Sequence, residues 1–344
     1  MNCRRYSREP GRARQRGAAL VVALLVFALS TALIVAMKSE FSRFYQRTAN
    51  ALQTEQAYAY LRGAEDLAGM ALLIDYDTDQ GSEQPRDDLK EIWAQPTTPY
   101  ALDEGGWLVG SLEDLQGRFN LNTLVGKVQE DQGKPRFTAA QEQFIRLLQA
   151  LEDPAVSEQE AILITESVGD WLDQDDTPSA NGAEDDYYFS RDPSHRAANQ
   201  PMASVSELRA VAYMTPEIYQ ALRPWVTVWP QSPATLNIHT APATVLRSIN
   251  ADKNLTPLSE SDAQSLVDYR ENAGFTDLDD FLANAVFGGK PEQMAGIKGI
   301  LGQASSHFLL RAEVEVADSN MRLYSVLQRR QRSITALARA NGSL

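Results

Sequence analysis

Twenty consecutive residues, Ala18 to Met37, carry no charge, and nothing else in the chain constrains its fold as tightly. At about 1.5 Å per helical residue they reach roughly 30 Å, one hydrocarbon core. Six arginines and one glutamate precede them in residues 1–17, a net charge of +5. By the positive-inside rule that cluster holds the N-terminus in the cytoplasm and sends the residues after Lys38 across the inner membrane. The join is a glycine, Gly17. A secretory signal would end in small residues after its apolar run, and "ALIVAMKSEFSRF" offers no convincing site. A plain anchor would keep the whole leader. A leader cut at the glycine would shed the arginines and keep the helix.

The helical pattern does not stop at Met37. Phe41, Phe44, Tyr45, Leu52, Tyr58, Leu61, Leu67 and Leu72 recur at helical spacing, which predicts one helix from about 18 to 75, half in the membrane and half packed on a domain. A polar loop follows, and then "GGWLVGSLEDLQGRFNLNTL" reads as strand, turn and strand. From about 138 to 300 the apolar spacing turns helical, with prolines and Ser/Thr/Asp caps between the runs. In the last forty residues the period becomes two. Phe308, Leu310, Ala312, Val314 and Val316 share a face, and "MRLYSVLQRR" and "SITALARAN" follow at hairpin spacing. The order predicts an α+β fold: a long N-terminal helix packed on an antiparallel sheet, with a large all-helical insertion between strands.

Charge and cysteine usage narrow the function. Residues 18–344 hold 26 basic and 45 acidic side chains. Such a body disfavours nucleic acid, whose phosphates reward Lys and Arg, and suits calcium or a basic partner. The one cysteine, Cys3, lies in the leader. That excludes a disulfide framework, a zinc–thiolate site and a cysteine nucleophile in the body. No P-loop or G-x-S-x-G stretch occurs, and His195, His239 and His307 lack ligand-like spacing. No enzyme is expected.

The densest chemistry lies at 170–186, where Asp170, Asp173, Asp175, Asp176, Glu184, Asp185 and Asp186 fall within seventeen residues. They repel one another unless solvated or bound to cations. With Asp173 as position 1 of an EF-hand-like loop, Asp175 is position 3, Thr177 position 5, Ser179 position 7 and Asn181 position 9. Glu184 then takes the bidentate position 12. Position 6, which should be glycine for the sharp turn, is Pro178. The expectation is therefore a calcium loop of another geometry sharing some of these ligands: Asp173, Asp175, Thr177, Glu184 and Asp185. Asp170 reads as a helix-end or outer residue and Asp192 as a weak extra candidate. A solvated acidic loop is the alternative.

A rival function comes from "TLNIHTAPATVLRSI" and "LVDYRENAGFTDLDDFLA". These resemble the helix-hairpin-helix segments of DNA-binding and competence proteins. The stretch between them lacks a Gly-rich turn, and Arg247, Lys253 and Arg270 stand among several acids. The segment reads as a structural helical fold without the DNA contact.

The leader, Gly17 and the run "AALVVALLVFALS" together resemble the class III signal of type IV pilin-like proteins. In those proteins a prepilin peptidase cuts after the glycine, here between Gly17 and Ala18, and leaves the helix attached. The Glu usual five residues into the mature chain, thought to neutralise a neighbouring subunit's terminal amine, is Val22 here. Its absence is typical of one branch, the minor pseudopilin K of type II secretion. "GRFNLNTL", "GDWLDQDDTPSANGAEDDYY" and "MASVSELRAV" resemble stretches of that family in order, and the likeness covers nearly the whole chain. It implies a basic leader over 1–17, a transmembrane and filament-core helix over 18–37, and a pilin-like domain in two parts, 38–119 and 305–344. Between these parts, 120–304 would form the inserted helical domain. It further implies a place at the pseudopilus tip, serving export of folded proteins across the outer membrane. Minor pseudopilins of the I and J type, the major pseudopilin and the prepilin peptidase would be partners. Calcium would bind in the insert, and the domain would lie in the periplasm. The alternative function is a membrane-anchored competence or type IV pilus component that handles DNA.

Overall fold

The structure, a computed structural model, describes residues 17–81, 85–103, 105–126, 136–317 and 319–342. Most of the leader, residues 1–16, lies outside the described residues. Helix α1 (Ala18–Asp79) runs for 62 residues. The chain divides into two compact units, residues 1–58 and 59–344.

In the first unit α1 stands as a single helix. Its large apolar side chains, from Leu20 and Val22 through Phe41 and Phe44 to Leu52, are exposed. Length and apolarity suffice to cross a membrane. The Thr31 hydroxyl donates to the Phe27 carbonyl at 2.9 Å, so it brings no unsatisfied polar group into such a phase.

In the second unit the last turns of α1 lie on a five-stranded antiparallel sheet of order β1-β2-β7-β8-β9. Its strands are β1 (Tyr100–Ala101), β2 (Gly106–Asp114), β7 (His307–Val316), β8 (Ser319–Arg330) and β9 (Ser333–Ala340). Leu61, Ala64, Ala68 and Leu72 recur every three or four residues and are buried, whereas Leu67, read from sequence as part of the same face, is 59% exposed. Two polar links fix the helix on the sheet. Glu65 accepts from Ser325 at 2.6 Å and from both Arg339 Nε and Nη2 at 2.8 Å. Arg329 of β8, stacked over Phe308, donates to Asp75 at 2.7 Å, to Asp87 and to the Ser305 carbonyl. Gly106, at φ +102°, allows β2 to start: a Cβ there would lie 1.9 Å from the Glu315 carbonyl oxygen.

The residues between β2 and its neighbour β7 form the helical block. It contains α2 (Ala139–Gln149), α3 (Glu158–Leu172), α4 (Asp185–Phe189), α5 (Pro216–Leu222), α6 (Ala243–Leu246), α7 (Glu260–Asn272), α8 (Leu278–Leu282) and α9 (Ala295–Lys298). Phe144, Ile145, Leu148, Val168, Leu246, Ile249, Leu266, Phe275 and Phe281 belong to its one large core. Two short parallel pairs close it: β3 (Phe119–Asn120) with β4 (Val226–Thr227), and β5 (Leu236–Asn237) with β6 (Leu301–Gly302). The second strand expected within "GRFNLNTL" does not form a hairpin with β2. Asp114 and Asn120 each accept a backbone N–H two residues on, from Gln116 and Asn122, and turn the chain into short 3₁₀ segments.

A candidate metal centre in the helical block

Helix α3 opens with a capping box between Ser157 and Glu160. Its buried side carries Ile162, Thr165, Glu166, Val168 and Asp170. Glu166 and Asp170, one turn apart, reach over the following loop and hold it. Glu166 Oε2 accepts from the backbone N–H of Asn181 at 2.6 Å and from its side-chain amide at 2.9 Å. Its other oxygen pairs with Arg136 at 3.0 Å. Asp170, fully buried, accepts from the Ser179 N–H at 3.0 Å and the Ser179 hydroxyl at 2.7 Å.

The loop therefore folds back on α3. Its closest approach falls at Gly182, where a Cβ would sit 1.8 Å from Asp170 Oδ2. Only a residue without a side chain fits there. The return brings Asp170, Asp173 and Glu184 together, with one carboxylate oxygen of each within 4.8 Å of the others. Asp173 closes α3 as its C-cap, and Glu184, 4% exposed, stands immediately before α4.

That spacing meets a chemical requirement. A calcium ion holds its oxygens at about 2.3–2.6 Å, so opposed ligands stand roughly 5 Å apart. Three hard carboxylate oxygens with two of the three side chains buried suit a divalent cation better than water, because like charges at this separation repel more strongly as burial increases. Asp170, Asp173 and Glu184 would be the residues that hold it.

The side chains of the other sequence candidates are not part of this three-residue group, although the Asp175 N–H donates to Asp173 Oδ1 at 3.2 Å. Asp175 is exposed and its Oδ1 accepts from the Thr177 N–H at 2.8 Å, a local turn in which Thr177 is also exposed. Asp185 Oδ1 accepts from Ala197 N–H at 3.1 Å, and its other oxygen lies 3.8 Å from Arg196. Asp192 is exposed. Asn181, position 9 of the EF-hand reading, serves Glu166. Asp170 is the member that sequence spacing placed outside. The signal for it was the small residue at 182, which permits a buried carboxylate to touch the loop backbone.

A second acidic group, Asp75, Asp87 and Glu91, also converges. Arg329 pairs with two of its members, Asp75 and Asp87, and Trp93 Nε1 donates to the third, Glu91, so its geometry is that of a structural latch. The helix-hairpin-helix-like segment is likewise turned inward. In the bend after α6, the Lys253 N–H donates to Glu142 at 2.9 Å and the Asp252 N–H to the Gln293 carbonyl at 2.8 Å. Those amides, which would cradle a phosphate in a DNA-binding hairpin, are engaged within the fold.

A long apolar N-terminal helix laid on a small antiparallel sheet, with a helical block spliced between adjacent strands, defines a pilin-like subunit of elaborated type. Known proteins agree. Two sequence profiles described as "Type II secretion system (T2SS), protein K" match residues 117–231 and 236–298. The type II secretion system protein K of Pseudomonas aeruginosa is 35% identical over 336 residues, covering 95% of this chain and 93% of that one. Its counterpart from Pectobacterium carotovorum is 31% identical, covering 96% and 98%. The crystal structure of the GspK-GspI-GspJ complex of enterotoxigenic Escherichia coli contains a chain that matches with a TM-score of 0.72 at 28% identity, covering 86% of this chain and 99% of that one. The chain belongs to the type II secretion system protein K family and is a minor pseudopilin.

Proposed function

We propose that this subunit sits at the tip of the type II secretion pseudopilus, in a complex with minor pseudopilins of the I and J type and above the major pseudopilin. From there it would serve export of folded proteins across the outer membrane. The observation that carries this reading is the helical block between β2 and β7. Such bulk is most easily accommodated where nothing stacks above it. Val22 supports the same end position: without a carboxylate at that place in α1, the helix offers no partner to the terminal amine of another subunit. The helix anchors the chain once through the inner membrane, with its N-terminus in the cytoplasm and the remainder in the periplasm. A prepilin peptidase cuts between Gly17 and Ala18. Gly17 is exposed, with open space where a side chain would be.

Calcium belongs to this reading as a structural ion held by Asp170, Asp173 and Glu184. It would fix the loop 173–184 against α3, and the role is architectural rather than catalytic.

Three measurements test these statements. Intact mass after co-expression with a prepilin peptidase should report a mature chain beginning at Ala18; an uncut leader removes the pilin-like assembly from the reading. Calcium titration of the full chain in detergent should raise its unfolding temperature, and Asp170→Asn should abolish the rise. An unchanged response in Asp170→Asn, or none in the wild type, rejects the ion site while leaving the pseudopilin assignment standing. Co-purification with the I and J subunits addresses the complex itself.

A further inference from the structure

Within the strongly acidic body, a cavity among the described residues gathers three cations against two carboxylates. It has a volume of about 240 Å³ and lies where the segment after α1 meets the end of α7, lined by Arg86, Asp88, Lys90, His239, Arg270 and Glu271. Arg270 is the centre of the arrangement. The residue is only 9% exposed, and its Nη1 is pinned by the Ile238 carbonyl at 3.1 Å and the Ala241 carbonyl at 2.6 Å. Among the described residues nothing accepts from its Nε or Nη2, so a rigidly held guanidinium keeps N–H donors for the cavity it lines. Among the described residues the Lys90 ammonium has no ion-pair partner either, and it is exposed at the mouth.

The two carboxylates offset this positive charge only in part, three cations facing two acids. Asp88 is engaged by Arg86 Nε at 3.1 Å and by the Lys90 N–H at 2.7 Å. Glu271 is exposed to solvent. Arg86 is itself tied to the Phe275 carbonyl at 3.0 Å, which fixes the wall between the two cations. His239 closes the floor, its Nε2 3.3 Å from Gln303 Oε1.

A buried, preorganised guanidinium beside a mobile ammonium is a standard device for a planar or tetrahedral oxyanion, because the arginine geometry is set before the ligand arrives. We propose that this cavity binds one oxyanion, a carboxylate or a phosphate, between Arg270 and Lys90. The carboxylate could be an acidic side chain of a protein partner, which the rest of this negatively charged surface would otherwise repel. This site is separate from the metal centre and does not depend on the position of the subunit in the filament.

The test is calorimetric titration of the full chain in neutral detergent at low ionic strength, with inorganic phosphate in one arm and an acetylated tetraglutamate peptide in the other. Saturable one-site binding in either arm is expected. Phosphate as the better ligand identifies a free anion as the source, and the peptide as the better ligand identifies a polypeptide. Lys90→Glu, an exposed change that leaves the fold intact, should weaken binding by about tenfold or more. Arg270→Gln should do the same but also releases two carbonyls, so the lysine variant decides. Absence of saturable binding in both arms, or unchanged affinity in Lys90→Glu, overturns the proposal.

Discussion

Replacing Arg329 by methionine should be among the most damaging single changes available to the second unit. The side chain of Arg329 is 7% exposed, that of Asp75 4% and that of Asp87 0%. Methionine keeps much of the volume and the contact with Phe308 but leaves two buried carboxylates without their cation. Removing one partner of a buried pair costs about 3–5 kcal/mol, and two stranded carboxylates place the expected loss near the upper end. For a body of this size that lowers the unfolding temperature by roughly 10–15 °C. The penalty should depend on pH. Burial pushes Asp87 up to about 7, against the pull of Arg329. The stability this group permits is complete below the ordinary carboxylate range and is lost as pH rises through the folded value. Without the arginine that value moves higher, so the loss continues at alkaline pH, by up to about 1.4 kcal/mol for each further pH unit. Thermal unfolding of the full chain in detergent, followed by tryptophan fluorescence at pH 5 and pH 8, measures both effects. The destabilisation should be larger at pH 8. A companion variant combining Arg329→Met with Asp75→Asn and Asp87→Asn should recover at least half of the loss, because a neutral replacement strands no charge. A shift below about 3 °C for the single variant, or a triple variant no more stable than the single one, would refute the reasoning.

Three further outcomes are expected. Gly182→Ala should push the loop off Asp170, lower stability by about 1–3 kcal/mol and remove the calcium-dependent rise in unfolding temperature, read in the same melt with and without a chelator. Glu91, raised by burial to about 8, is held by Trp93 Nε1 at 2.7 Å and feels the charge of Asp75. Its contribution is therefore present at low pH and lost as pH rises through about 8, so Glu91→Gln should match the wild type near pH 5 and exceed it in denaturant midpoint above pH 8. Arg146, fully buried, donates to the carbonyls of Ser248, Ala251 and Asn254 and to Glu142; Arg146→Met should cost about 3–5 kcal/mol in equilibrium unfolding.

Local signals carried much of the architecture. The uncharged run and its heptad-like continuation announced α1, because helical periodicity survives the passage from lipid to protein neighbours. The alternation of Phe308 to Val316 announced β7, where one face is buried on the core. The acidic loop was visible as a density of charge. What the loop does with that charge was not visible, because its geometry is set by α3, the element before it. Asp170 and Glu166 lie on the helix, and only tertiary folding turns Ser179, Asn181 and Gly182 toward them. A linear EF-hand template counts along the loop and so passes over Asp170, while it assigns Asp175 and Asn181 to roles that local turns and Glu166 already fill. The link of Arg329 to Asp75 and Asp87 spans more than two hundred residues and leaves no local trace at all. The strand in "GRFNLNTL" is cut short to β3 and pairs with β4 instead of β2, because Asp114 and Asn120 take backbone N–H groups and turn the chain on either side of it.

The splice between β2 and β7 also sets an order of events in time. Asp114 pairs with Phe308, so the sheet cannot close until about 190 intervening residues have been made. Synthesis delivers β7, β8 and β9 last. The polar contacts described above that fix α1 on the sheet come from that late segment: Ser325, Arg329 and Arg339. The helical block carries its own core and can condense first, while Leu61, Leu72, Glu65 and Asp75 wait uncovered on α1. A nascent subunit thus passes through a stage with a finished insert and an open seam along α1, and a chain truncated before β8 would be held there permanently.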